Sequence, residues 1–206
     1  MEKCLYFVTG EEYSDGRNTL DVAVCAISGG IDVLQMREKD KTAEELKFLG
    51  RRLSDLCRKN GVTFIVNDDP YLAKEVAASG VHLGQQDLEK YPIGKARGIL
   101  GKNRIIGVST HSVEEFEAAN KEECDYIAFG PIFPTKSKDY SIGTSDIKRV
   151  LEVSKKPVVF IGGINKDNVS SLLEEGVSNI AVIRAITQAA NIIAEARNLK
   201  DKIKDQ

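Results

Sequence analysis

The chain has no excess of either charge: 29 Lys and Arg stand against 31 Asp and Glu in 206 residues. That balance gives no bulk field for nucleic acid or an anionic membrane surface, so any phosphate must be held by local placement. No apolar run approaches the roughly 20 residues that a membrane-spanning helix needs. Met1-Glu2-Lys3-Cys4-Leu5 enters a strand pattern almost at once, without the apolar core of a signal peptide. The four cysteines, Cys4, Cys25, Cys57 and Cys124, show no Cys-x-x-Cys spacing, which argues against structural zinc and a disulfide framework. Packed, reduced thiols in a cytoplasmic protein are expected instead. Linkers and low-complexity tracts are missing too, and 42% hydrophobic with 29% charged residues is an ordinary globular composition. One domain over residues 1–206 is expected.

What is present is an alternation. Short continuous apolar runs, the signature of strands buried on both faces, recur at Cys4–Val8, Ile31–Met36, Val62–Val66, Val81–Leu83, Arg104–Val108, Tyr126–Gly130, Pro157–Ile161 and Asn179–Ile183. Helical patterns lie between them. Thr42 with Glu45, and Ser112 with Glu115, read as capping boxes, and Gly29-Gly30 and Gly80 read as helix stops. The segment 88–103 reads as a short helix around Gly94–Leu100, and the last helix as one piece from about Ile186 to Lys202. Eight strand–helix units of about 25 residues predict an α/β fold, a single-domain (β/α)8 TIM barrel.

In such a barrel the chemistry collects at the C-terminal ends of the strands. Those ends carry Thr9, Gln35 to Lys39, Asn67-Asp68, Gly84 to Asp87, Ser109 to His111, Thr135 to Lys138, Gly162-Gly163 and Ile183-Arg184. Two anion stations result. One gathers Arg37, Lys39 and Lys138 with Asn67 and the carboxylates of Asp68 and Asp87, which suit one Mg²⁺ shared with a diphosphate. The other joins Gly162-Gly163 to Ile183-Arg184 as a backbone phosphate cradle. Taken singly, Asp68 is as readily the cap of the next helix, Asp87 a turn residue, and His82 a packed, hydrogen-bonded core histidine.

Gln35-Met36-Arg37-Glu38-Lys39, Val66-Asn67-Asp68, Gly80 to Asp87, Gly107-Val108-Ser109-Thr110-His111, Gly130 to Lys138 and Ile161 to Asn165 together resemble the thiamine-phosphate synthases, in order and spacing over nearly the whole chain. The resemblance implies joining of hydroxymethylpyrimidine diphosphate to thiazole phosphate with Mg²⁺. By matching position it makes Arg37, Lys39, Asn67 and Lys138 pyrophosphate ligands, Asp68 and Asp87 metal ligands, and Gln35 and Ser109 contacts to the pyrimidine. Thr135 and Ser137 fall on the thiazole side, with the backbone of Gly163, Ile183 and Arg184 about its phosphate. Arg37, Lys39, Ser109 and Lys138 are the expected catalytic set, and Pro134–Tyr140 the expected lid. Arg184 stands where serine is common in the family, which suggests an added charge near that phosphate. Two rivals are an aminothiazole tautomerase-like relative, which would not need the five charged groups together, and a non-catalytic thiamine-ligand sensor. Phosphorylated small molecules are the expected partners, with no nucleic acid or membrane; homo-oligomerisation stays open.

Overall fold

A computed structural model describes residues 3–136 and 138–205. Eight parallel strands close into a barrel in chain order. They are β1 (Cys4–Val8), β2 (Val33–Met36), β3 (Thr63–Asn67), β4 (Gly80–Leu83), β5 (Ile105–Thr110), β6 (Tyr126–Phe129), β7 (Val158–Ile161) and β8 (Asn179–Val182). The outer helices are α1 (Thr19–Ser28), α2 (Ala43–Asn60), α3 (Pro70–Glu75), α4 (Gln85–Lys90), α5 (Ile93–Leu100), α6 (Val113–Ala119), α7 (Ile147–Val153), α8 (Val169–Glu174), α9 (Arg184–Thr187) and α10 (Ile192–Lys204). None among the described residues is long and apolar enough to cross a membrane. This is the TIM barrel expected from the alternation.

Strand parity divides the core in two. Leu5, Phe7, Leu34, Phe64, Val81, Ile106, Ile127, Phe160 and Ile180 face outward and bury the helices' apolar stripes. Cys4, Tyr6, Val8, Val33, Ile65, Tyr126, Val159 and Ala181 face inward and fill the barrel. The four cysteines are unpaired, and burial pushes the thiols of Cys4 and Cys57 up to about 12, which leaves them inert packing groups.

Local chemistry sets most element ends as read from the sequence. Thr42 and Glu45 form the reciprocal box that opens α2, and Gly61 closes it in the left-handed region. At α6 the box is offset: Ser112 accepts from the Glu115 N–H, but the Glu115 carboxylate reaches past it to the N–H of His111 at 2.7 Å.

Four readings need correction. Gly80 is no helix stop; α3 ends at Glu75, and Gly80 opens β4 beside Ile105. A Cβ at Gly80 would lie 2.1 Å from the Ile105 carbonyl oxygen, so close backbone approach, not a cap, demands glycine there. Gly80→Ala should therefore destabilise the fold by more than the roughly 1–3 kcal/mol typical of overpacking, measured by denaturant unfolding with activity followed in parallel. The short helix read in segment 88–103 is present as α5, but the end of α4 lies there too. Strand β5 runs on through Thr110, which carries Ser109 inside the ladder. The final helix is two: Arg17 takes the carbonyls of Thr187 and Ala189 at 2.5 and 2.8 Å, and Asn191 restarts the chain by capping the Ala194 N–H.

Candidate active site

The barrel mouth opens into a cavity of about 420 Å³ whose lining includes Gln35, Arg37, Asn67, Ser109, Thr135, Lys138, Gly163, Ile183 and Arg184. Nine of the residues read as substrate contacts thus face one space. Lys39 is exposed and, with Asp68 and Asp87, stands outside that lining, on the rim where Asn67 continues into Asp68. Ser137 lies outside the described residues.

The acidic pair is built by the backbone. Asp68 takes a left-handed conformation (φ 68°), and its N–H donates to the carbonyl of His82 on the neighbouring strand at 2.8 Å. The helix-capping role that Asp68 offered in the sequence belongs to Asp69, whose carboxylate accepts from the N–H groups of Tyr71 and Leu72. Asp68 is thereby released toward Asp87. One Asp87 oxygen accepts the Gly84 N–H at 2.9 Å, which anchors the side chain at the start of α4. Burial and then the facing Asp87 push the Asp68 carboxyl up to about 7, against the pull of Arg37 and Lys39. Two carboxylates held against each other near cations form a place for a proton or a divalent ion. Among the described residues no third His, Cys, Asp or Glu joins them, so a metal there would need oxygens from another source.

Arg37 and Lys39 are the cations that act on this pair, while Lys138 faces the neighbouring cavity. The Arg37 N–H donates to the Thr9 hydroxyl at 3.0 Å, and its guanidinium lies 3.5 Å from Glu12. That contact is made by the buried Nη1, and it is an ion pair without hydrogen-bond geometry. Lys138 stands over the Tyr140 ring at 5.7 Å, while its N–H donates to the Thr135 hydroxyl. The expected lid is thus tied into a small antiparallel bridge between Thr135 and Lys138.

Across the mouth, Gly162 and Gly163 both have positive φ. A Cβ on Gly162 would meet Pro131 at 2.3 Å, and one on Gly163 the Pro134 carbonyl at 2.7 Å. The β6 loop therefore requires both glycines for packing, and the same turn bares backbone to the cavity. The Arg184 guanidinium stacks on Tyr13 at 4.1 Å, in cation–π contact with a side chain of the β1 loop.

Sequence reasoning missed Tyr6 and Tyr126, which line the cavity floor. The available signal was a polar-tipped aromatic at inward parity in each strand, since a buried phenol needs a partner. His82 is the hydrogen-bonded core residue expected, bonded to Tyr126 at 2.9 Å and Ser109 at 2.8 Å. Burial lowers its pKa to about 4, so it is neutral in the fold at pH values where the unfolded chain binds a proton. Stability from this group is complete above about pH 6.5 and is lost as pH falls toward 4. Between pH 7 and 5 that amounts to about 2 kcal/mol. Asp68, whose carboxyl is pushed up to about 7, contributes with the opposite sign over the same interval, so the His82 part is read as a difference. From pH 7 to 5 the unfolding free energy of the wild type should change less favourably than that of His82→Gln by about 2 kcal/mol.

A closed parallel barrel with facing carboxylates, cations and glycine turns gathered at one rim defines a (β/α)8-barrel enzyme. The profile of one such family, thiamine monophosphate synthase, matches residues 5–186, and the chain belongs to that family. Thiamine-phosphate synthase of Shouchella clausii is 43% identical over 198 residues, covering 95% of this chain and 93% of its own. That of Persephonella marina is 40% identical, covering 98% and 96%. The thiamine phosphate pyrophosphorylase structure from Pyrococcus furiosus superposes with a TM-score of 0.90 at 35% identity, covering 99% of this chain and 97% of that one.

Proposed function

We propose that this barrel joins hydroxymethylpyrimidine diphosphate to hydroxyethylthiazole phosphate, releasing pyrophosphate and forming thiamine phosphate. The observation that carries the reading is the facing Asp68–Asp87 pair beside Arg37 and Lys39, across one mouth from the Gly163 and Ile183–Arg184 backbone. Family membership and the full-length relatives support the same activity.

The donor set fits Mg²⁺: two carboxylates, pressed together so that one holds its proton more tightly, with remaining positions for phosphate oxygens and water. Asp68 and Asp87 would hold it; when bound, the ion neutralises charge developing on the departing pyrophosphate. Arg37 and Asn67 face the cavity from β2 and β3 and offer donors to the diphosphate, with Lys39 adding charge from the rim. Lys138 brings a movable cation on the lid. The pyrimidine amino group feeds electrons toward the methylene carbon, so the C–O bond to pyrophosphate breaks and leaves a stabilised cation. The thiazole nitrogen then attacks that carbon. Thr135 and the backbone of Gly163, Ile183 and Arg184 hold the thiazole phosphate in line, and the walls exclude competing water. Arg184 lines the cavity with its guanidinium held over the Tyr13 ring, so its backbone serves this station and its charge stays close by.

The test mixes purified protein with both phosphorylated precursors and Mg²⁺. Thiamine phosphate and pyrophosphate should appear in equal amounts; absence of both products would overturn the reading.

A further inference from the structure

Five side chains form one hydrogen-bonded chain across the barrel interior. Gln35 Nε2 donates to the Tyr6 hydroxyl at 2.7 Å, and Tyr6 and Tyr126 share a bond of 2.8 Å. Tyr126 meets His82 Nδ1 at 2.9 Å, and His82 Nε2 meets the Ser109 hydroxyl at 2.8 Å. Two of the four links join neighbouring strands, β1 to β2 and β4 to β5, and two cross the interior; only the barrel's closure brings Tyr6 of β1 to Tyr126 of β6. The fold gives up a side chain to seat this array. A Cβ on Gly107 would lie 2.0 Å from the Tyr126 ring.

Counting protons gives the chain a direction. With the Gln35 amide donating, the Tyr6 oxygen accepts, and the Tyr6 proton passes to the Tyr126 oxygen. The Tyr126 proton then passes to His82 Nδ1, which must be the bare nitrogen. The Nε2–H of His82 donates to Ser109, whose own proton is left for the cavity. If His82 carried its proton on Nδ1, Tyr126 would have to donate to Tyr6. The Tyr6 proton would then have no protein acceptor. Turning the Gln35 amide over reverses every donor in the series, and Ser109 would point its proton inward. The two ends are therefore linked: when Gln35 offers its oxygen to the cavity, Ser109 offers a proton.

We propose that Tyr6, Tyr126 and His82 are positioning residues that transmit the orientation of the Gln35 amide to the Ser109 hydroxyl, so that the cavity meets an acceptor at Gln35 together with a donor at Ser109. A ring that offers an amino group to Gln35 and a ring nitrogen to Ser109 fits this assignment, and the oxo form, where donor and acceptor are exchanged, opposes it. The selectivity part rests on the pyrimidine substrate of the functional reading; the coupling itself does not.

The chain has two histidines, which makes ring ¹⁵N spectra simple to assign. In labelled wild-type protein near neutral pH, His82 should show a protonated Nε2 and a bare Nδ1, collapsing to mixed tautomers in Tyr126→Phe. A protonated Nδ1 in the wild type would overturn the assigned direction, and a tautomer left unchanged in Tyr126→Phe would overturn the coupling. Kinetically, the wild type should prefer the amino-pyrimidine diphosphate over its oxo counterpart, with Tyr126→Phe reducing that preference at least 10-fold, chiefly through KM. An unchanged preference would also overturn the proposal. If the wild type makes no thiamine phosphate, the functional reading fails and the ¹⁵N spectrum alone decides the coupling.

Discussion

Asp68→Asn should lower turnover by about 10²–10³-fold, the effect of losing a few kcal/mol of charge stabilisation at the leaving group. The substitution keeps the side chain's shape and its place in the left-handed turn after β3, so the barrel should unfold at the same denaturant concentration or a higher one. Its effect is electrostatic: one of two facing carboxylates becomes neutral. Raising Mg²⁺ should restore part of the rate, since Asp87 remains to bind it. The pH dependence follows from the Asp68 pKa near 7. Metal must displace a proton there, so Mg²⁺ affinity in the wild type should climb as pH rises through 7 and level off above about 8. In Asp68→Asn that climb should flatten. Wild-type rates in the presence of chelator would refute the metal role.

Arg37→Ala should cost kcat/KM about 10²-fold, and by two routes. Among the described residues its half-buried guanidinium is held only by a loose ion pair, Nη1 to Glu12 at 3.5 Å without hydrogen-bond geometry, which leaves its donors for a phosphate oxygen. It also holds the Asp68 carboxyl down, so its removal should raise that pKa further and weaken Mg²⁺ binding at neutral pH. Lys138→Ala provides the contrast. Lys138 is exposed and tethered over Tyr140, so its loss should slow turnover only about 10-fold on electrostatic grounds. In both variants the affinity for thiazole phosphate should stay within about 2-fold, because that group lies on the opposite side of the mouth. Steady-state kinetics with each substrate varied in turn will separate the two. Equal losses for both substrates would contradict two separate stations.

The barrel was legible because each strand is a short apolar run ending in polar residues, and parallel strands buried on both faces leave that imprint. Thr42 and Glu45 announced α2 for the same reason: a reciprocal pair satisfies orphan N–H groups locally, so its signal lies within four residues. Gly80 deceived because a glycine after a helical pattern looks like a stop, whereas its cause, the Ile105 carbonyl, sits 25 positions downstream. The break before α10 was hidden likewise, since the group that captures the Thr187 and Ala189 carbonyls is Arg17, at the far end of the chain.

At the rim, Asp68 and Asp87 could be paired from strand ends alone, but the choice between cap and carboxylate site needed the observation that Asp69 does the capping. For the Tyr6–Tyr126–His82 array the local signal, a polar-tipped side chain at inward parity, names no partner. Its members are inward residues of β1, β6 and β4, and Tyr6 meets Tyr126 only once the sheet closes on itself.

The direct measurement is calorimetric titration of inorganic pyrophosphate in the presence and absence of Mg²⁺, with the wild type and Asp68→Asn/Asp87→Asn. Binding should require Mg²⁺ in the wild type and fall at least 100-fold in the double variant, while thiazole phosphate binds both proteins alike. Pyrophosphate that binds the double variant as tightly as the wild type would place the diphosphate elsewhere and contradict the account.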